Sequence, residues 1–424
     1  MRVMIVTAAL LLLSAQRLPA TEPLTLREAL VTAMENHPRT MAARESLRGA
    51  DARAGQARSG YYPRLDLVAD WNRGRSYLTA LEGFKETETY TAGLTLRQTL
   101  HDFGRTSGTV AAAEGERGAA RESLAAVRQD VALRVREVYN VLLTAERRVE
   151  ALRETVRARE EVLGQARAFY REGVRPRLDV VRAEADLYAA RTLLTAAENE
   201  RDMARVDLAA AMGLDSLPDR PLAEPDGESP SLPDLAEAKR RATAGRVELK
   251  RYDALHAAAQ GAATAARGGH LPVIEATAGA GYADRSFPPE GNTWGVGVRL
   301  TVPIFAGFAT REKEREVAAA LREVEARRRD QQLQVGREVE GAWLGMREAL
   351  ARVESTGREL EAARESRTLA IERYREGVGT IIEVTDAQAR ELEAETANIR
   401  ARGDTRIALA RLDRAVGDDG GTEQ

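Results

Sequence analysis

The chain contains no cysteine. That excludes disulfides, thiolate metal sites, cysteine nucleophiles and a lipid-modified N-terminal cysteine. Aromatics make up only 4% of its 424 residues. So small a share, beside abundant Ala, Arg, Glu and Leu, points to long helices and away from a large globular core. Lysine is confined to Lys85, Lys239, Lys250 and Lys313, so arginine carries the positive charge. The net charge of −3 gives no electrostatic case for a nucleic-acid partner. Apolar runs long enough to span a bilayer as a helix are missing as well. A mature chain that enters a membrane must therefore do so with strands. Four histidines, His37, His101, His256 and His270, are scattered without ligand spacing and read as surface or packing residues. There is no G-x-S-x-G elbow and no phosphate loop, so neither an enzyme nor a cofactor is expected.

What is present begins with "MRVMIVTAALLLLSAQRLPATEP". One Arg, an apolar run from Val3 to Leu13 and a polar stretch of small residues have the order of a secretory signal peptide. A short membrane anchor is the alternative. Ala20 suits a cleavage site, but Leu18 two residues before it does not.

Beyond this leader the chain repeats itself. "YREGV" occurs at Tyr170–Val174 and again at Tyr374–Val378, 204 positions on (374 − 170). The same offset pairs "LAAAMG", ending at Gly213, with "LDRAVG", ending at Gly417. It also pairs "LTLRQTLHDFG" from Leu94 with "VRLTVPIFAGF" from Val298. Upstream the offset is 209, matching Leu26 with Leu235 and Pro63 with Pro272, so the first half holds five extra residues between Pro63 and Leu94. An offset sustained over so long a stretch means that a whole structural plan was duplicated. The expected organisation is a signal peptide over 1–20, a first repeat over 21–215, a proline-rich linker over 216–233, a second repeat over 234–417 and a tail over 418–424.

Within each half the order reads helix, strand pair, long helix, corner, helix. The strands alternate with period two. Leu65, Leu67 and Trp71 share one face of the first, and Tyr90, Leu94 and Leu96 one face of the second. Ile274 and Tyr282 do so in the third, and Trp294, Val296, Val298 and Leu300 in the fourth. Segments of about 10 residues, with aromatics near their ends, suit tilted membrane strands whose apolar faces meet lipid. A small soluble sheet packed on helices is the alternative.

From Ser107 to Tyr170 there is no proline, and Leu124, Val131, Val135, Val138, Leu142, Val149 and Leu152 keep a coiled-coil spacing. Some 64 residues of helix would be about 95 Å long. Gly173 and Pro176 interrupt the first long helix, and Gly377 and Gly379 the second. Helical pattern resumes at Asp179 and near Glu383, carboxylates suited to a helix N-terminus. Two helical hairpins per chain follow.

These features together resemble the TolC-like outer-membrane efflux proteins over essentially the whole mature chain. The residues that carry the resemblance are the duplicated plan, "VPIFAGF" from Val302 to Phe308 and "YREGVGTIIEVTDAQ" from Tyr374 to Gln388. "QTLHDFGR", Gln98–Arg105, looks like the same junction in the first repeat, with Thr99 where the second has Pro303. The resemblance implies a mainly α fold with a membrane β-barrel portion. It implies a homotrimer in the outer membrane, with four strands per chain in one 12-stranded barrel and coiled-coil hairpins forming a periplasmic tunnel. A periplasmic adaptor protein and an inner-membrane pump would dock at the corners, at Gly173, Val174, Gly377, Val378, Gly379 and Thr380; a plain αα-turn is the alternative there. Glu383 and Asp386 match the acidic residues of the family's periplasmic constriction, with Glu where well-known members have Asp. Gly379 falls where some members carry an Arg that ties the closed gate, and Asp179 and Tyr374 could supply replacement links. Simple capping or solvation of the helix start is the other reading of the two carboxylates.

A soluble periplasmic coiled-coil adaptor and a periplasmic enzyme on a helical scaffold remain as rival readings. Methionine is scarce, 7 in all and unclustered, so export of soft metals has no positive support.

Overall fold

The computed structural model describes residues 22–79, 83–224 and 231–418. The signal peptide expected over 1–20 and nearly all of the tail expected over 418–424 lie outside the described residues. Each half follows one plan of two helices, two strands and two helices. The first comprises α1 (Leu26–Asn36), α2 (Pro38–Arg58), β1 (Arg64–Thr79), β2 (Gly83–His101), α3 (Arg105–Arg171) and α4 (Arg177–Met212). The second comprises α5 (Leu235–Gly245), α6 (Val247–Gly268), β3 (Val273–Asp284), β4 (Gly291–Thr301), α7 (Ala309–Arg375) and α8 (Ile381–Val416). The duplication holds to the residue in the long helices: α3 and α7 are 67 residues each, and α4 and α8 are 36 each.

Two helices precede each strand pair where the sequence pattern suggests one. In the first copy Pro38 opens α2, and His37 Nδ1 accepts the Arg39 N–H at 3.2 Å. The second copy breaks without proline. Arg246 adopts an extended backbone there and is 3% exposed. Its guanidinium donates to Ala415 O (3.1 Å), Glu338 (2.7 Å) and Glu248 (2.8 Å). A buried cation with three partners replaces the helix-breaking residue.

The strands form one antiparallel sheet in the order β1-β2-β3-β4, leaving β1 and β4 as edges. β1 and β2 run 16 and 19 residues, longer than the expected ten or so and longer than β3 (12) and β4 (11). The extra length lies past Trp71, where Asn72, Arg73 and Arg75 pair with Thr89, Glu88 and Glu86. Those paired residues are polar on both faces, so apolar alternation cannot reveal this part of the ladder.

Two compact units arise, and each draws on both halves of the chain. One is built from the described residues up to Asn36, Arg134–Pro230 and Arg352–Ile407; the other from His37–Leu133, Ser231–Ala351 and the described residues from Ala408 on. The first unit buries Leu163, Leu187, Tyr374, Ile381 and Val384 in one cluster. In it the single Tyr139 hydroxyl proton is shared between Leu24 O (2.8 Å) and Ala223 O (2.6 Å), and burial pushes its pKa up to about 12. The second unit buries Val335, Val339, Met346 and Leu412. There α3 and α6 meet backbone to backbone. A Cβ on Gly115 would lie 2.5 Å from Ala258 N, and one on Gly108 or Gly261 would run into the facing helix at Ala265 or Ala112.

Candidate functional site

The corner after α3 and the corner after α7 are one motif built twice. In the first, the Gly173 N–H donates to Tyr170 O (3.1 Å) and the Val174 N–H to Phe169 O (3.0 Å). In the second, the Gly377 N–H donates to Tyr374 O (3.1 Å) and the Val378 N–H to Arg373 O (3.1 Å). This 5→2 and 6→1 pairing is a Schellman motif, and it places glycine in the left-handed region at φ 74° and 81°. Val174 and Val378 project into solvent at the equivalent point of each corner. Gly173, Gly377 and Thr380 are exposed too, while Gly379 is buried against the Arg373–Tyr374 backbone.

The two tyrosines of "YREGV" have different surroundings. Tyr170 is exposed, whereas Tyr374 is 1% exposed and meets Phe169 with ring centroids 5.8 Å apart. The buried Tyr374 hydroxyl has no hydrogen-bond partner among the described residues. Burial, and then the charge of Asp179, raises its pKa against the opposing pull of Arg175. Asp179, itself buried in the first turn of α4, is thus close enough to Tyr374 to act on it electrostatically.

Glu383 and Asp386 sit on the exposed side of the first turns of α8. Glu383 N–H donates to Thr380 Oγ1 (3.3 Å), the hydroxyl lies 3.4 Å from Glu383 Oε1, and Arg373 Nε is 3.4 Å from Oε2. Thr380-x-x-Glu383 is therefore a helix-start motif related to the capping box. Asp386 pairs with Arg390 at 3.1 Å, one turn on. Both ion pairs are exposed and weak, so each carboxylate has a local partner yet still faces solvent.

Sequence reasoning missed Arg175. Its Nη2 donates to Gly379 O (2.8 Å) and Gly377 O (3.1 Å), and its guanidinium carbon lies 5.3 Å from the Tyr374 ring centroid. One signal could have found it: Arg175 is the repeat-mate of Gly379 (379 − 175 = 204).

The sheet has two unlike faces. The register runs Leu65–Leu96–Ala278–Val296 and Leu67–Leu94–Ala280–Trp294 across the four strands. Trp71 lies opposite Tyr90, and Ile274 opposite Leu300. All the strand residues expected to meet lipid, Tyr282 and Val298 included, share that face. Trp71 Nε1 (3.0 Å) and the Tyr90 hydroxyl (2.8 Å) both donate to Glu88 toward its end. On the other face Asp66 pairs with Arg64 (3.0 Å) and Arg97 (3.1 Å), and Gly93 lies opposite Gly281 and Gly279 opposite Gly295. Among the described residues no helix is long and apolar enough to cross a membrane, and no group of His, Asp and Glu could hold a metal ion.

Residues 29–214 and 239–418 match the family model of outer membrane efflux proteins, one block in each half. The chain is 29% identical to outer membrane efflux protein BepC of Brucella suis over 402 residues, 93% of this chain and 85% of the relative. It is 29% identical to protein CyaE of Bordetella pertussis over 413 residues, 94% and 85%. In fold it is similar to the outer-membrane channel OprN, with TM-score 0.81 and 22% identity over 92% of this chain and 89% of that one. It is similar also to the open state of the Neisseria gonorrhoeae MtrE channel, with TM-score 0.80 and 20% identity over 93% and 89%. Matches in both halves disfavour the soluble adaptor, and the family consists of channel proteins, not enzymes. The chain belongs to the outer membrane efflux protein family, whose members work with an adaptor and a pump: it is a mainly helical channel with a β-barrel portion, sited in the outer membrane and extending into the periplasm.

Proposed function

We propose that three copies of the chain close one barrel, each giving its four strands, and that their hairpin corners form an acidic aperture at the periplasmic end of an efflux or secretion conduit. The observation that carries the trimer is the sheet order, which leaves β1 and β4 as open edges. Unpaired strand edges are not tolerated in lipid. A sheet with one apolar face and one face of glycine and paired charge can satisfy those edges by joining β4 of one copy to β1 of the next. Four strands are too few to close a barrel, whereas twelve are enough. The repeats over 21–215 and 234–417 each give one strand pair and one hairpin.

The corners support the rest of the reading. Val174 and Val378 are exposed apolar residues at their tips, suited to an adaptor. Glu383 and Asp386 face solvent one turn further on. Three copies would bring six carboxylates toward one axis and draw cations.

The test of assembly uses the absence of cysteine. Single cysteine pairs, one on β1 and one on β4, are introduced along both edges and oxidised in outer-membrane fractions. A covalent ladder ending at the trimer is expected. A ladder that stops at the dimer, or membrane-inserted chains that never crosslink, would refute the trimer.

A further inference from the structure

The two strand-to-helix junctions keep the same backbone turn but differ in chemistry. After β2, Phe103 and Gly104 take positive φ (51° and 96°); after β4, Gly307 and Phe308 do so (59° and 67°). Left-handed backbone is costly for a bulky side chain, so each junction holds an aromatic in a strained conformation. In the first junction polar groups serve the turn. Asp102 accepts the Thr106 N–H at 2.7 Å, and Arg105 Nη2 donates to Gly268 O at 3.1 Å. At the repeat-mates of His101, Asp102 and Arg105 the second junction carries Phe305, Ala306 and Ala309. In the first copy the same turn is made with polar residues at these three positions.

Those apolar side chains face outward. Ile304 is 94% exposed, Phe305 75% and Phe308 64%. Phe305 and Phe308 meet edge to face with centroids 5.5 Å apart, so the strained backbone supports an exposed aromatic pair. The patch is continuous with the apolar face of β4. Trp294, Val296, Val298 and Leu300 alternate along the strand, and Val302 and Ile304 keep the same parity beyond its last residue, Thr301.

Lengths say what the extension is for. From Trp294 to Leu300 the face covers about 20 Å along the strand, or about 15 Å along the membrane normal at a tilt near 40°. An outer-membrane apolar band is about 25 Å tall, so about 10 Å of it lies beyond Leu300, the part that Val302 and Ile304, past the end of the strand, can occupy. Charge resumes directly afterwards with Arg311, in the first turn of α7. We propose that residues 302–308 are an apolar foot that seats in the phospholipids of the periplasmic leaflet, with Phe305 and Phe308 at headgroup level. The proposal rests on the lipid-facing reading of the strand face.

The test places Ile304→Cys or Phe305→Cys in the cysteine-free full chain, attaches a nitroxide, and reconstitutes it in phosphatidylethanolamine and phosphatidylglycerol bilayers. Collision with oxygen, which concentrates in lipid, is compared with collision with a water-soluble nickel chelate. Val296→Cys is the strand reference and Arg322→Cys the aqueous one. Ile304 is so exposed that its replacement removes no packing within the chain. Oxygen should win several-fold at 304 and 305, by less than at 296, and lose at 322. A lipid-exposed 296 with 304 and 305 reached mainly by nickel chelate overturns the foot and leaves the strand reading intact. Labels at 304 and 305 sheltered from both reagents overturn it in favour of packing against a second copy. If 296 itself shows no preference for oxygen, the strand reading fails and the foot with it.

Discussion

Arg175 Nη2 lies 2.8 Å from the Gly379 carbonyl oxygen, so a side chain from the first hairpin corner holds the backbone of the second. A second bond reaches Gly377 O at 3.1 Å, and the guanidinium stacks over Tyr374. Gly379 cannot supply such a link itself. A Cβ there would lie 2.9 Å from Arg373 C and Tyr374 N. The corner closes so tightly on its own helix that the repeat-mate position carries the cation.

Arg175→Ala should therefore loosen the second corner without unfolding the helices. Hydrogen bonds from a charged donor contribute about 1.5–3 kcal/mol, and partial exposure brings this toward the lower figure. Amide hydrogen exchange at Gly377–Thr380 should speed up by about tenfold. Unchanged exchange there would mean that the clamp does not hold in solution.

For the aperture, Glu383→Gln with Asp386→Asn should reduce cation selectivity and weaken block by multivalent cations. Reversal potential under a salt gradient in a planar bilayer is the measurement, with trimer content checked first. A wild-type reversal potential would show that these carboxylates do not line the constriction.

Arginine on the two faces of the sheet should have unequal effects. Val298→Arg or Leu94→Arg should cost about 2–4 kcal/mol near the bilayer midplane, repeated in every chain of the assembly. Thr95→Arg, on the face that already carries Asp66 and Arg97, should be tolerated better. Heat-modifiable migration of the assembled barrel reports the difference, and equal tolerance on both faces sinks the barrel reading.

Acid should weaken the second compact unit through Glu248. Burial raises its pKa, but hydrogen bonds from Arg246 and Arg414 outweigh burial and hold it at about 2, against an ordinary 4.5. A depressed folded pKa means stability that is complete above about 4.5 and is lost as pH falls toward about 2. The contribution is at most about 3 kcal/mol. Glu248→Gln should be destabilised at neutral pH, leaving Arg246 short of a partner, and its melting temperature should fall less than wild type's across that window. Parallel curves for the two proteins would remove Glu248 from the account.

The seam between α3 and α6 should not accept volume. Gly115→Val places its side chain against the Ala258 backbone and should cost about 1–3 kcal/mol or more. Gly74→Ala, where a Cβ meets nothing within 4 Å, is the matched control on β1. Circular-dichroism melts compare the two, and equal losses would contradict the close approach.

Much of this architecture is legible along the chain, because its determinants are local or periodic. The offset between the "YREGV" copies foretells two corners, and the structure builds both with the same hydrogen bonds. Val131, Val135, Val138 and Leu142 announce the buried stripe of α3, since large apolar residues at helical spacing bury together. Alternation from Trp294 to Leu300 marks one face of β4. Other features depended on neighbours far away in sequence. The Arg73–Glu88 stretch of the β1–β2 ladder is polar on both sides and exists only as a pairing. Gly108, Gly115 and Gly261 have no side chain to register as periodic, yet they let two backbones touch. The break at Arg246 follows from partners 92 and 169 positions away. Arg175 clamps carbonyls 202 and 204 residues on. Pattern reveals what a segment buries on its own face; which groups meet across such separations is decided only when folding brings them within hydrogen-bond reach.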